Sequence, residues 1–307
     1  MNYRIVIMSK LSIYISDCYG QPLQQKPLVR LSGIVTTGQI LRAIDAAEEI
    51  GLDPNQIIGF DEKLSEICRT LEHEMDVTKL VHNNLSVLSR PTFKRIGTTL
   101  NRNHSKTILT SYFHDRGKLA LNQKILHSTR KLAPSDVTHI QQHTVLGYEL
   151  LRRKSVVFYN KTLDKINQIN NWSYPLLDPK DHNAVLEIAK AAKHHHERLD
   201  GTGYPDKLVG QEIPQASLMI AVADDYDAQI KQRCYKKARP KDEVLREIAQ
   251  RAASHFDPTI VLAHLHYNAS GDQLRQLLAP TIEQKRIHVV SRNHEIFQQH
   301  PLYAATP

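Results

Sequence analysis

The sequence predicts a mainly α protein: a helical bundle over about residues 73–265, a small N-terminal accessory domain of mixed α/β structure at 1–72, and a C-terminal helical tail at 266–307. Two observations carry that prediction. From about residue 73 onward, apolar residues recur at helical spacing in one segment after another. The strand-like pattern, by contrast, is confined to the first part of the chain. A length of 307 residues suits one large domain with an appendage, or two modest ones.

In chain order, Tyr3 to Met8 reads as a short strand and Gly20-Gln21-Pro22 as a turn. Thr37 to Ile50 has helical spacing through Ile40, Leu41, Ile44, Ala47 and Ile50, with Gly51 placed as a C-cap. Asp76 to Ser89 is apolar at Leu80, Val81, Leu85 and Leu88 and is stopped by Pro91. Ser105 to Phe113 leads into His114-Asp115. Pro134-Ser135-Asp136 reads as a helix start with Ser135 as N-cap, and Val137, Ile140, Leu146 and Leu150 follow on one face. The segment from about 153 to 181, polar and carrying Pro175 and Pro179, reads as a loop. Helices resume at Asn183 to His196, Gln215 to Ile230 and Lys241 to Ala253, with a last one near Asp272 to Leu278.

Composition narrows the class. Apolar content of 41% and charged content of 23% are ordinary for a soluble globular protein. The apolar run Leu218 to Ala223 is too short to cross a bilayer, and the N-terminus lacks a signal-peptide pattern, so a cytoplasmic location and no membrane are expected. Cys18, Cys68 and Cys234 are too far apart and too few for a disulfide framework or a thiolate metal site. The net charge of +8 suits anionic ligands, yet no long basic block is interleaved with aromatics, so no DNA is expected as a partner.

Histidine, at 17 residues, is the unusual count. At about 100° per residue, His143 joins the apolar stripe of its helix, His195 and His196 straddle theirs, and Asp224 and Asp227 share the face of Ile220. His82 lies near the Leu85 side, and His194 points the other way. One inward histidine is ordinarily a satisfied core residue. Inward His82, His114, His143, His195, His196 and Asp224, with Asp115, are too many titratable groups to bury unless something pairs with them. Divalent cations held between helices solve this, and imidazole with carboxylate suits iron, manganese or zinc. Periodicity alone does not name a reaction.

The motifs do. His114-Asp115-Arg116-Gly117-Lys118 resembles the HD-x-G-K motif of the HD phosphohydrolase superfamily. His195-His196-Glu197-Arg198-Leu199-Asp200-Gly201-Thr202-Gly203-Tyr204-Pro205 resembles the HHExxDGxGYP signature of the HD-GYP family. Glu212-Ile213-Pro214, Ala221-Val222-Ala223-Asp224, Arg233-Cys234-Tyr235-Lys236-Lys237-Ala238 and His255-Phe256-Asp257-Pro258 resemble further elements of the family, so the likeness covers about 82–265.

That resemblance implies an HD-GYP helical bundle and a phosphodiesterase that hydrolyses cyclic di-GMP to pGpG, GMP or both through a metal-bridging hydroxide. It implies two divalent metal ions, iron or manganese rather than zinc. His82, 32 residues before His114, would hold one ion with His114, Asp115 and Asp224; Asp115 with His143, His195 and His196 would hold the other. Asp115, Lys118 and Tyr204 would be catalytic. Lys118, Tyr204, Arg233 and Lys236 would bind substrate, and Asp227 would orient a ligand or Lys118. Glu197 and Asp200 would brace the loop. Protein partners would meet the GYP loop or the 153–181 insertion, and a homodimer is an open arrangement.

The sequence also departs from the family. Thr78 stands four residues before His82, where some members carry a glutamate for a third metal. Arg116 replaces an aliphatic residue, facing either solvent or a phosphate. Ile230-Lys231-Gln232 and Cys234 replace the usual residues around Arg233. The departures around Arg116 and 230–232 motivate a rival reading, a weak or inactive receptor that binds cyclic di-GMP and signals through protein contacts; another phosphoester specificity is a second rival, opposed by the GYP signature and the Arg233/Lys236 pair.

Overall fold

A computed structural model describes residues 4–9, 12–16, 29–30, 61–94, 104–126, 128–181, 183–231 and 237–277. Strand β1 (Arg4–Ser9) pairs antiparallel with β2 (Ser12–Ser16), which pairs antiparallel with β3 (Val29–Arg30). The expected helix at Thr37–Ile50 lies outside the described residues, and this small sheet does not by itself make the mixed α/β accessory domain.

The other described secondary-structure elements are helices. Helix α1 (Asp61–Leu88) is continuous for 28 residues, so the expected start at Asp76 and the division at 72/73 both fall inside it. Its buried residues run from Leu71 through Met75, Val77, Val81 and Leu85 to Leu88. Then come α2 (Pro91–Lys94), α3 (His104–Phe113), α4 (Gln123–Leu126), α5 (Pro134–Gln141), α6 (His143–Leu151), α7 (Val156–Asn170), α8 (Ala184–Lys193), α9 (Gln215–Ile230), α10 (Lys241–Gln250) and α11 (Pro258–Asn268). Short 3-10 turns occupy Arg116–Ala120 and Gly210–Glu212.

The central helix is α9, which packs against α1, α3, α8, α10 and α11. Met219 to Ala223 are all buried, which accounts for an apolar run without helical periodicity. Around it, α1 packs on α3 and α11, and α6 on α8 and on the turn after α3. This brings the ends of α3, α5 and α8 to one region.

Two expectations are corrected. The helix opening near Ser135 is two helices, and its N-cap is Ala133, followed by Pro134 at the first helical position. The Asp136 carboxylate, at the third helical position, accepts the Ala133 N–H at 2.8 Å, and Ser135 lies inside the first turn instead of capping it. The break comes at Gln142, where the His143 ring inserts into the hydrogen-bond ladder by donating to the Ile140 carbonyl. Because the break shifts the helical phase, Val137 is 42% exposed rather than inward.

Segment 153–181 is not a loop. The Ser155 side chain accepts the Phe158 N–H, and α7 then buries Tyr159, Leu163 and Ile166 in the core before ending at left-handed Asn171. Its continuation is strapped down by reciprocal hydrogen bonds of Asn167 with Tyr174 and of Asn160 with Leu177. The Ser105 hydroxyl adds a bond to the Pro175 carbonyl.

Candidate metal centre

Asp115 stands at the middle of the cluster and is 1% exposed. It follows α3, in a turn pressed onto the start of α6. A Cβ at Gly117 would lie 1.9 Å from the His143 carbonyl oxygen, so only glycine allows this approach. The two carboxylate oxygens of Asp115 face different groups. Oδ1 lies 3.3 Å from His143 Nε2 and 3.7 Å from His195 Nε2. Oδ2 lies 3.3 Å from His73 Nε2 and 3.6 Å from His114 Nε2. His73 Nε2 is also 3.0 Å from Asp224 Oδ1, and His196 Nδ1 is 3.9 Å from Asp224 Oδ2.

Three sets of ligand atoms therefore lie within 4.8 Å of one another: Asp115, His143, His195, His196; His73, His114, Asp115; and His114, His195, Asp224. Asp115 belongs to two of them.

The hydrogen bonds behind the rings settle what those atoms present. His114, His143 and His195 each donate Nδ1–H to the carbonyl three residues earlier, of Ser111, Ile140 and Ala192, at 2.7, 2.7 and 2.6 Å. A carbonyl can only accept, so each neutral ring turns a bare Nε2 lone pair into the cluster. His143 Nε2 and His195 Nε2 face each other at 3.4 Å. His114 Nε2 and Asp115 Oδ1 are buried without a hydrogen-bond partner. Such convergent lone pairs repel one another and fit a cation.

Burial, the largest influence, pushes His114 down to about 4 and His143 to about 3, so both are neutral imidazoles at ordinary pH. His196 is lowered as well, first by burial and then by His195. His73 goes the other way. Burial opposes its charge, but hydrogen bonds to Asp115, Asp224 and Asp227 override that and raise it to about 10. Burial pushes Asp115 and Asp224 up, yet the neighbouring Lys118 for Asp115, and His73 for Asp224, hold both well below the usual carboxylate range.

His73 is the residue that sequence reasoning missed. His82, expected in its place, is stacked on Trp172 at 3.9 Å between ring centroids and bonds through Nδ1 to the Tyr174 hydroxyl at 2.6 Å. The two histidines are nine residues apart, about half a turn out of phase, so both cannot face the cluster. The available signal was the phase of His73 with Val77 and Val81, hidden by starting the helix at Asp76. The residue four before His73 is Arg69, so the comparison made at Thr78 moves there and again finds no glutamate.

The Lys118 ammonium donates to Asp115 Oδ2. The Tyr204 ring stacks on His196 at 4.7 Å, and burial, with the Asp224 and Asp115 charges, pushes its phenol well up, so it is a neutral O–H. Asp227 accepts Nδ1–H of His73 at 2.7 Å and an N–H of Lys231 at 2.9 Å. It therefore orients His73, not Lys118. Arg233 and Lys236 lie outside the described residues.

Around the signature loop, the Glu197 carboxylate accepts the backbone N–H groups of Asp206 and Leu208, and Asp200 accepts from Thr202. Gly203 is required because a Cβ there would stand 2.4 Å from Glu197 Cα. His194 is buried rather than outward and bonds to Asp206 at 2.8 Å. Arg116 faces neither solvent nor the cluster. It is 2% exposed and pairs with Glu74 at 3.1 Å.

Known proteins resemble this chain over part of its length. Residues 149–260 match a family model described as an HD domain. It is 32% identical over 153 residues to a cyclic di-GMP phosphodiesterase of Thermotoga maritima, covering 50% of this chain and 34% of that protein. It is 29% identical over 215 residues to the cyclic di-GMP phosphodiesterase response regulator RpfG of Xanthomonas campestris, covering 69% and 49%. A 3'3'-cGAMP-specific phosphodiesterase 2 of Vibrio cholerae matches at 30% identity over 152 residues, covering 49% and 24%. The chain thus spans between about a quarter and a half of the length of these relatives. Among the described residues no helix is long and apolar enough to cross a membrane.

Proposed function

We propose that this chain is a metal-dependent phosphodiesterase of the HD-GYP type acting on cyclic di-GMP. The observation that carries the reading is the divided carboxylate of Asp115, one oxygen toward His143 and His195 and the other toward His73 and His114. Two divalent cations, iron or manganese, would be held with Asp115 common to both: one by His73, His114 and Asp224, the other by His143, His195 and His196. When bound, such a pair supplies Lewis acidity on phosphate oxygens and lowers the pKa of water toward about 7.

The chain's own residues would do the rest. Lys118, now paired with Asp115, would offer its ammonium to a non-bridging phosphate oxygen. Tyr204, neutral and stacked on His196, would donate its O–H to the substrate. The Glu197 carboxylate, gripping two backbone N–H groups, would keep that loop in place. Arg233 and Lys236 would grip the phosphates. The products would be pGpG, GMP or both.

A second reading, hydrolysis of a mixed cyclic dinucleotide, is favoured by the 3'3'-cGAMP-specific relatives of Vibrio cholerae. A third, a weak or inactive receptor for cyclic di-GMP, is motivated by the altered residues 230–232. The 1–72 accessory domain, a homodimer, a cytoplasmic location and contacts through the GYP loop belong to the same proposal. So do contacts through 153–181, where Val157, Ile169 and Leu176 are exposed. The test is purified protein loaded anaerobically with iron or manganese and given cyclic di-GMP and 3'3'-cGAMP. Chromatography should resolve pGpG or GMP from the first, formed faster than product from the second. Tight binding without product would establish the receptor reading instead.

A further inference from the structure

We propose that the buried Glu74–Arg116 ion pair is a positioning device that fixes the distance between His73 and Asp115. The inference rests on the metal-centre reading and concerns residues outside the ligand set. Each partner immediately follows a ligand candidate: Glu74 follows His73 on α1, and Arg116 follows Asp115 in the turn after α3. The pair therefore repeats, one residue along, the juxtaposition of His73 and Asp115 at 3.3 Å. Glu74 is wholly buried and Arg116 nearly so.

Arg116 is held from its own side as well. Its guanidinium lies 4.9 Å from the Phe113 ring centroid and 5.5 Å from that of Tyr112, both on α3. It thus ties α1 to the segment that ends in His114-Asp115. Desolvating two charges is costly, and an apolar pair of similar volume commonly serves stability as well or better. What the Nη2–Oε2 approach at 3.1 Å adds is a charge attraction that holds the two segments at a set separation, with the planar guanidinium seated over Phe113 and Tyr112. That matters for α1, because a slip of one residue would move His73 by about 1.5 Å and turn it by about 100°. The other half of the cluster does not depend on α1. His143, His195 and His196 come from α6 and the end of α8.

The experiment uses full-length protein stripped with a chelator and titrated with manganese, read by bound-metal stoichiometry and by thermal midpoint. The variants are Glu74→Met with Arg116→Met together, and Arg116→Lys. The double variant should keep a wild-type thermal midpoint and bind one manganese as tightly as wild type. Its second manganese should bind about 10–100-fold more weakly, the range known for groups that orient ligands. Arg116→Lys keeps the charge but loses the planar guanidinium over Phe113 and Tyr112, and should weaken the same manganese about tenfold. Wild-type affinity for both ions in the double variant overturns the proposal. If the double variant does not fold, wild-type affinity for both ions in Arg116→Lys does so. Weakening of both ions together also overturns it, since that would reflect general destabilisation. A wild type that binds no manganese at all removes the metal-centre reading, and this inference with it.

Discussion

The two sides of the Asp115 carboxylate are built differently. On the Oδ1 side stand three imidazoles, from His143, His195 and His196. His143 and His196 are held neutral first by burial. On the Oδ2 side His73 and His114 share the space with a second carboxylate, Asp224, and Asp227 stands behind His73. There the negative charge is strong enough to draw a proton onto His73 up to about pH 10. The difference teaches that the halves should not hold equal cations equally. The imidazole-rich side favours borderline-soft ions, and the carboxylate-rich side adds Coulombic attraction for any divalent cation.

The largest expected effect comes from removing what the sides share. Asp115→Ala should lower turnover of cyclic di-GMP about 10³-fold or more, several kcal/mol of transition-state stabilisation at about 1.36 kcal/mol per decade. It should also lose both metal equivalents by elemental analysis; wild-type metal content would break the shared-carboxylate reading. Next, His73→Ala and His143→Ala should each lose one equivalent, and not the same one. Competition between manganese and zinc should tell them apart, because His73→Ala leaves the imidazole-rich side.

A smaller effect is expected from Asp227→Asn, which weakens the acceptor behind His73 without touching the Oδ1 side. One of the two metal affinities should fall about 10–100-fold, measured by manganese titration. Smaller still is His82→Ala. Metal content should be unchanged, while loss of the Tyr174 hydrogen bond and the Trp172 stack costs about 1–2 kcal/mol of stability by denaturant titration. A variant that loses metal would put His82 back among the ligands.

The metal-free protein should also respond to pH in a defined direction. The folded values of His114, about 4, and His143, about 3, lie below the ordinary 6.5. Between these values the unfolded chain binds protons that the folded chain refuses. Stability from these groups is therefore intact above about pH 6.5 and falls as pH drops toward 4, which thermal midpoints from pH 7.5 to 4.5 would record. Bound metal should shift that fall to lower pH, since protons and cations compete for the same nitrogens.

Much of this was legible in the sequence, for physical reasons. His114, Asp115, His143, His195, His196 and Asp224 converge because each continues a buried face or a helix end. The helical phase of Asp227 likewise aimed it inward. His73 was lost to a helix start drawn at Asp76, since periodicity finds the middle of a helix more readily than its start. The 153–181 segment misled through composition: four buried residues suffice to seat α7, and the polar remainder is its solvent face. Arg116 could not be read at all, because a buried arginine looks like a surface one until Glu74 is found across from it.

The carbonyls that anchor His114, His143 and His195 all belong to the closing turns of helices, α3, α5 and α8. Backbone oxygens there have no partner further along the helix, and they mark its partially negative pole. Three such poles thus converge on one point, and each fixes its own imidazole without help from any side chain. His73, by contrast, is steered by a replaceable residue, Asp227. Drift in sequence can therefore retune that one ligand, whereas altering the other three requires re-ending a helix.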